Sequence, residues 1–246
     1  MARAYRRKRP TRELILQTSM QLFLENGYTT THCSHITENL HISPGNLTFY
    51  FPTKEHLLAE MVEALCAFQW KVMEETTGEG QSSLLAYCME LAAMASLCEQ
   101  SAVAKDFYIS AYTHPLSLSI IRKNDALKLQ KVFQPFCLEF TQEDFQHMEN
   151  LVSGIEYGTL ITNSDEALTL DKKIFWALDS IMRLFHVPDE LRQVKLSKML
   201  AQNYEKIGAT LLHDFMEYVN QVNEQAVQQA IDHRLSPSEP GRKTQG

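Results

Sequence analysis

The chain has 246 residues, of which 44% are hydrophobic and 22% are charged, a composition typical of a globular protein with a substantial core. No apolar run approaches the roughly 18 residues that a membrane span requires, and no apolar stretch follows the basic N-terminus as it would in a secretory signal. We therefore expect a cytoplasmic protein that has no membrane partner.

The charge is distributed unevenly along the chain. The net charge is −7, yet residues 1–12 contain only basic charges, on Arg3, Arg6, Arg7, Lys8, Arg9 and Arg12. We predict a flexible basic arm over residues 1–10, which is suited to neutralising phosphate, whereas the acidic remainder would face away from a polyanion. A merely solubilising tail is the alternative.

The cysteine pattern does not predict a disulfide framework or a zinc site. The number of cysteines is odd and no two of them are arranged as CxxC, so we expect reduced thiols. They are Cys33, Cys66, Cys88, Cys98 and Cys137. His32 and His35 flank Cys33 without a second ligand pair, so we interpret them as polar surface histidines and predict no metal and no cofactor.

Helical periodicity predicts an all-α protein that begins with a helix-turn-helix domain over residues 11–53. The first helix starts after Thr11 and stops at Gly27, and the second covers about residues 31–40. Ser43 then caps a short third helix with Pro44 at its first position, and Pro52 ends it. Leu47 and Phe51 share the buried side of this helix.

Residues 54–234 are predicted to form a helical effector-binding and dimerisation domain, followed by a disordered tail over 235–246. We expect a helix at about 54–76, others at about 82–99, 101–112, 116–138, 141–163 and 168–186, and one continuous helix from Pro188 past residue 215. The chain lacks the HExxH, nucleophile-elbow and phosphate-loop motifs, so we predict no catalytic residue and no enzyme. Glu90 and Glu99 are interpreted as solvated.

The N-terminal residues resemble the DNA-binding domain of TetR-type transcriptional regulators over about residues 11–60. The resemblance is carried by the run ILQTSMQLFLENGYTTT and then by Ile36, Leu40, Ile42, Ser43, Gly45, Leu47, Phe51, Lys54, Glu55, Leu57 and Leu58. His41 stands where the family usually has a turn glycine, so we expect a strained or reshaped turn.

The resemblance implies a ligand-responsive regulator, a repressor in our interpretation. It would bind a palindromic double-stranded DNA operator as a homodimer and be released by a small-molecule effector. The predicted DNA contacts are Arg6, Arg7, Lys8, Arg9, Thr31, Ser43, Pro44, Gly45, Asn46, Thr48, Phe49, Tyr50 and Lys54. Phe49 or Tyr50 could instead pack under the next helix. A helical adaptor that kept the fold without binding DNA is the alternative function.

Aromatic and methionine side chains in the C-terminal part predict an adaptable effector pocket, although at helical spacing such residues belong to the core more often than to a pocket. The pocket candidates are Tyr87, Met94, Tyr108, Tyr112, Phe133 and Tyr157, with His114, His147, Asn150 and Glu156 as polar candidates. We expect dimerisation to use two apolar stripes on the last long helices, either of which could instead be internal core. They are Ile174, Leu178, Ile181 and Phe185, and Leu200, Ile207, Leu211, Phe215 and Val219.

Overall fold

The computed structural model describes residues 12–77 and 83–235, and all regular structure in these residues is helical. The helices are α1 (Arg12–Asn26), α2 (Cys33–Asn39), α3 (Pro44–Tyr50), α4 (Lys54–Thr77), α5 (Leu84–Gln100), α6 (Ala102–Thr113), α7 (Pro115–Phe133), α8 (Gln142–Ile161), α9 (Leu170–Leu184), α10 (Asp189–Leu200) and α11 (Tyr204–Leu235). The predicted all-α class is confirmed. The predicted arm contacts Arg6, Arg7, Lys8 and Arg9, and residues 236–246 of the predicted tail, lie outside the described residues.

The first three helices follow the local signals in the sequence. Gly27 ends α1 with a φ of +92°, a conformation that glycine adopts without steric cost. Ser43 caps α3, since its hydroxyl accepts a hydrogen bond from the backbone N–H of Asn46 at 3.3 Å, and Pro44 occupies the first helical position. Leu47 and Phe51 are both buried. The predicted short, capped helix is therefore confirmed.

The turn between α2 and α3 has the left-handed geometry that the usual glycine would supply. His41 has a φ of +52°. Its N–H donates to the carbonyl of Glu38 at 3.1 Å and the N–H of Ile42 donates to the carbonyl of Thr37 at 2.9 Å, which is a Schellman motif. The turn is thus not reshaped, and the histidine takes up the left-handed conformation at a cost of about 1 kcal/mol.

Two predicted helix boundaries are wrong. The helix expected from Pro188 past residue 215 is two helices, α10 and α11, because the Asn203 side chain accepts from the N–H of Lys206 at 2.9 Å and starts a new helix. The helix expected over 116–138 ends at Phe133, and a 3₁₀ turn over Gln134–Phe136 follows because Pro135 cannot donate the next helical hydrogen bond.

Helix α5 forms the centre of the body and is buried along almost its whole length. It contacts α4, α8, α9, α10 and α11. Its alanines allow close approach, and a Cβ on Gly208 of α11 would lie 2.7 Å from the carbonyl oxygen of Ala93. Glycine is therefore required at this crossing of two helices.

Both apolar stripes that we considered for dimerisation lie largely inside the chain. Ile174, Leu178, Ile181 and Phe185 are completely buried. In the second stripe Leu211, Phe215 and Val219 are buried and Leu200 and Ile207 are partly buried, packed against the same core. The internal-core alternative is confirmed for them, so a dimer interface has to use other residues. None of the described helices is long and apolar enough to cross a membrane.

Candidate nucleic-acid interface and buried cavity

The outer face of α3 is a compact exposed surface. Phe49 is 80% exposed and Tyr50 is 37% exposed, with their rings in an edge-to-face contact at 5.0 Å between centroids. Thr48 is exposed and Asn46 is partly exposed beside them. The alternative of packing under α4 is therefore wrong for Phe49. This surface presents an amide, a hydroxyl and two aromatic rings.

The N-terminal end of α3 is open to an approaching molecule. Ser43, Pro44 and Gly45 are all exposed. A Cβ on Gly45 would meet no atom closer than the Ser43 hydroxyl at 3.9 Å, so nothing within the described chain requires glycine here. Pro44 has no N–H and the Asn46 N–H is bonded to Ser43, so of the first three residues of α3 only Gly45 offers a backbone N–H that a phosphate oxygen can reach.

Two predicted phosphate contacts do not fit the structure. Thr31 is buried and its hydroxyl donates to the carbonyl of Gly27 at 2.7 Å, so this side chain cannot reach DNA. The ammonium of Lys54 donates to the carbonyls of Tyr28 and Thr31 and lies 4.1 Å from the Tyr28 ring centroid. Burial lowers the pKa of Lys54. We therefore assign Thr31 and Lys54 a structural role in holding α1, α2 and α4 together.

Hydrogen bonds at two positions join the helix-turn-helix unit to the body. Asp106 of α6 accepts from the backbone N–H of Thr29 at 2.8 Å and also from the Thr29 hydroxyl. Glu55 at the start of α4 accepts from the backbone N–H of Leu116 at 2.8 Å, where α7 begins. These contacts join the turn after α1 to α6, and the start of α4 to α7.

A narrow cavity of about 40 Å³ lies among α4, α5, α6, α7 and α8. Four of the six predicted pocket residues line it, namely Tyr87, Met94, Tyr108 and Tyr112. Phe133 and Tyr157 do not belong to its wall. Phe133 is fully buried between Tyr87 and Phe185, and Tyr157 stacks on the outer side of the cavity against Tyr112. Of the predicted polar candidates, Glu156 lines the cavity.

The cavity wall contains a cluster of buried ionisable groups. The hydroxyls of Tyr87 and Tyr112 donate to the two carboxylate oxygens of Glu156, at 2.9 and 3.0 Å. Burial, reinforced by the charge of Asp125, raises the pKa of Glu156 to about 8. The ammonium of Lys128 lies 2.7 Å from Glu90 Oε1 and 3.2 Å from Asp125 Oδ1. Burial also raises the pKa of Glu90.

The interpretation of Glu90 and Glu99 as solvated residues is wrong. Glu90 is 5% exposed and forms part of the cavity wall, and Glu99 is held by the ammonium of Lys173 at 2.7 Å and by Ser164. A single acidic residue in the otherwise apolar run LLAYCMELAAM was a usable signal, because a helix that is apolar on all sides is buried and its one charge needs a partner. Lys128 and Asp125 gave no such signal.

No group of three or more histidine, cysteine, aspartate or glutamate side chains that could hold a metal ion occurs in the described residues. His32 and His35 are exposed. The His32 backbone N–H donates to the His35 ring at 3.3 Å, which closes the first turn of α2. All five cysteines are free thiols.

Residues 15–61, from α1 into α4, match the sequence profile of bacterial regulatory proteins of the tetR family. Over 50 residues the chain is 40% identical to YuxN, an uncharacterised helix-turn-helix transcriptional regulator of Bacillus subtilis. These aligned residues are 17% of YuxN and 20% of this chain. Over 126 residues it is 29% identical to glycine dehydrogenase (decarboxylating) 2 of Colwellia psychrerythraea, which covers 50% of this chain and 13% of that enzyme.

The fold of the body also has a counterpart among solved structures. The crystal structure of RolR in complex with resorcinol superposes with a TM-score of 0.58 and 19% identity, covering 76% of this chain and 92% of RolR. At this identity the likeness concerns the fold alone. The chain spans less than a fifth of the length of the two curated proteins it matches, so neither match transfers an activity to it.

Proposed function

The chain belongs to the TetR family of bacterial regulatory proteins, and on this premise we propose that it is a ligand-responsive repressor that binds a palindromic operator as a homodimer. It is a transcription regulator and not an enzyme, since the family consists of regulatory proteins and the similarity to a dehydrogenase covers 13% of that enzyme. Its place of action would be the cytoplasm, where bacterial operators lie.

The observation that carries the proposal is the exposed face of α3. A helix of seven residues, capped at Ser43 and anchored through Leu47, holds Asn46, Thr48 and Phe49 outward on a rigid support. An amide can bond adenine, a hydroxyl can bond either kind of base, and an aromatic ring can contact a thymine methyl group in the major groove. Tyr50, Ser43 and the backbone N–H of Gly45 would hold phosphates.

Footprinting on the DNA upstream of the gene for this chain tests the proposal. We expect a protected palindrome for the wild-type protein. Phe49→Ala should weaken operator binding about tenfold without changing thermal unfolding, because the ring is 80% exposed and its loss leaves no cavity. Leu138→Ala, at an 81% exposed residue remote in sequence from α3, is the matched control and should bind normally. Absence of protection at low salt would contradict the proposal.

Operator affinity measured at several salt concentrations separates a repressor from an adaptor that does not bind DNA. Replacing Arg6, Arg7, Lys8 and Arg9 together with alanine removes four charges from the predicted arm. For a repressor that binds as a homodimer the two arms together lose eight charges, so the slope of log affinity against log salt should become shallower by up to about 7, since each lost phosphate contact contributes about 0.9. An adaptor would show no operator complex in either protein.

We propose that two copies pair through α8 and α9, which contact each other in the fold. The outer face of α8 carries Leu151, which is 56% exposed, followed by Gly154 and Gly158, and a Cβ at either glycine would meet no atom within 4 Å. Trp176 of α9 is 60% exposed. Two small residues beside two exposed apolar ones allow a second pair of helices to approach closely, and a two-fold dimer is what a palindrome requires.

Sedimentation equilibrium tests this interface. Trp176→Glu places a charge in the centre of the proposed contact and should raise the dimer dissociation constant at least about tenfold. Leu138→Glu changes an equally exposed apolar residue outside α8 and α9 and should leave the dimer intact. A dimer that is unaffected by Trp176→Glu would place the interface elsewhere, and a strictly monomeric wild-type protein would overturn the operator model as well.

The route from ligand to DNA in this proposal runs through α4 and α6. Three residues separate the end of α3 from the start of α4, and α4 supplies Leu65 and Gln69 to the cavity wall. Helix α6 supplies Tyr108 and Tyr112 to the same wall and holds Thr29 through Asp106. A ligand that moves either helix would shift the helix-turn-helix unit relative to its copy and weaken the match to two successive grooves.

A further inference from the structure

The wall of the buried cavity has more carboxyl groups than cationic groups. Of the described residues that line it, Glu90, Asp125 and Glu156 carry carboxyl groups, whereas Lys128 alone carries an ammonium. Lys128 is 2.7 Å from Glu90 and 3.2 Å from Asp125 and thus is occupied by these two carboxylates. Glu156 receives only tyrosine hydroxyl donors among the hydrogen bonds of the described residues.

One carboxylate oxygen in this wall is buried without a donor. Glu90 is 5% exposed, so it is more than nine-tenths buried. Its Oε1 is bonded to Lys128, whereas its Oε2 has no hydrogen-bond partner among the described residues. An unsatisfied buried carboxylate oxygen costs free energy, which a ligand that donates a hydrogen bond to it would recover. The oxygen therefore marks the point at which a ligand donor fits.

The remainder of the wall suits an apolar or aromatic body. Phe107, Tyr108, Leu65, Leu91, Met94 and Ile121 line it. Aromatic faces attract cations as well as apolar groups, and a bound anion would meet three carboxyl groups and one ammonium that is already paired. The polar groups and the apolar lining of the cavity thus agree on a ligand with a positive end and an apolar end, for which the walls of the cavity of about 40 Å³ must move apart.

We propose that the effector of this chain is an organic amine, protonated at neutral pH and attached to an aromatic or branched apolar body, whose ammonium group is bound by Glu90 and Glu156. This inference rests on the proposed ligand-responsive function and adds the chemical class of the ligand. The ammonium would donate to Glu90 Oε2 and to Glu156, which would release its proton to solvent when the cation binds, while the apolar body lies against Phe107 and Met94.

Calorimetric titration with three probes of the same shape tests the class. Phenethylamine, phenethyl alcohol and phenylacetate differ in carrying a positive, a neutral and a negative end. We expect phenethylamine to bind about tenfold more tightly than the alcohol, because a hydrogen bond to a charged group is worth about 1.5 kcal/mol or more, and phenylacetate to bind most weakly. Equal affinities, or preference for phenylacetate, would overturn the inference.

Glu90→Gln keeps the shape of the side chain and removes its charge. It should lower the affinity for phenethylamine about tenfold and leave phenethyl alcohol unchanged. Glu63→Gln, at an exposed position on α4, is the control and should change neither affinity. If Glu90→Gln does not fold by circular dichroism, the ranking of the three probes on the wild-type protein still decides the question.

A parallel gel shift with operator DNA separates the two proposals. An operator complex together with no preference for the amine would refute the amine inference and leave the repressor proposal intact. Preference for the amine without any operator complex would support the cavity assignment and refute the repressor proposal. Phenethylamine should also weaken the operator complex of the wild-type protein more than that of Glu90→Gln.

Discussion

Asp179→Ala is expected to lower the free energy of unfolding by about 3 to 5 kcal/mol, the range found when one partner of a buried ion pair is removed. Asp179 is 2% exposed on α9, and its Oδ1 accepts from the Nε of Arg192 of α10 at 2.9 Å. Arg192 is itself 6% exposed, so the alanine variant leaves a buried guanidinium whose remaining carboxylate partner among the described residues is the exposed Asp189. Chemical denaturation monitored by circular dichroism measures the loss.

Two further variants distinguish the ion pair from simple loss of a side chain. Asp189→Ala removes the other carboxylate that bonds Arg192, but Asp189 is 73% exposed in its side chain, so this control should cost less than about 1 kcal/mol. Replacing both partners, by Asp179→Leu with Arg192→Met, should recover most of the lost stability because no charge remains buried. Equal destabilisation by Asp179→Ala and by the double variant would contradict this account.

The pH dependence of the Asp179 contribution has a definite sign. Burial of Asp179 opposes ionisation, but hydrogen bonds from Arg183 and Arg192 outweigh it, so the pKa of Asp179 lies below its ordinary value. The ion pair therefore stabilises the fold above the ordinary aspartate pKa and is lost as the pH falls through the lowered one. Helix α9, which carries the proposed dimer residue Trp176, is then held less firmly against α10.

Glu156→Gln is expected to make the protein more stable than the wild type in mildly alkaline solution. The pKa of Glu156 is raised from 4.5 to about 8, first by burial and then by the charge of Asp125. Between these two pH values the folded chain retains a proton that the unfolded chain releases, so wild-type stability falls as the pH rises through this window. The slope reaches at most about 1.4 kcal/mol per pH unit for one proton.

Denaturation at several pH values between about 5 and 8 measures this slope. Glutamine mimics the protonated carboxyl and can still bond Tyr87 and Tyr112, so the variant should lack the Glu156 contribution to the slope. Glu63→Gln should retain it, and Glu149, whose pKa burial raises to about 7, contributes equally to both proteins. Parallel stability curves for the wild type and Glu156→Gln would show that Glu156 is not proton-linked to folding.

The ionisable groups around Glu156 are Cys66 on α4, Tyr87 and Glu90 on α5, Tyr112 on α6, and Asp125 and Lys128 on α7.

The helix-turn-helix could be predicted nearly to the residue, because its signals are local. The cap at Ser43, the proline at the first position of α3 and the pair Leu47 and Phe51 act within two helical turns of one another. Whether a polar residue near this unit reaches outward is not local. Thr31 is turned inward by hydrogen bonds to residues of the preceding turn, and Lys54 by the carbonyls of Tyr28 and Thr31, so their assignment as DNA contacts failed.

The cavity shows the opposite balance. Four of the six predicted residues, Tyr87, Met94, Tyr108 and Tyr112, line it, because aromatic and methionine side chains suit an apolar cavity, but the carboxylates and the lysine that set its charge come from separate helices. Glu90, Lys128 and Glu156 are brought together across 38 and 69 residues of sequence by the hydrogen bonds of Lys128 and Tyr87. The same holds for the stripe on α9, which is equally suited to a dimer face and to a core until its neighbours are known.

The sequence by itself thus determined the helical class, the short capped helix α3 and the family. It also determined that a basic arm precedes an acidic remainder. Capping, spacing and net charge could be read in this way because they depend on residues near one another in the chain. Only the tertiary structure decided that Glu90 is buried with an unpaired oxygen, that the α9 stripe is internal, and that Leu151 and Trp176 remain outside. The physical reason is that burial is a property of packed helices, and the free energy of a charge depends on which distant groups share its low-dielectric surroundings.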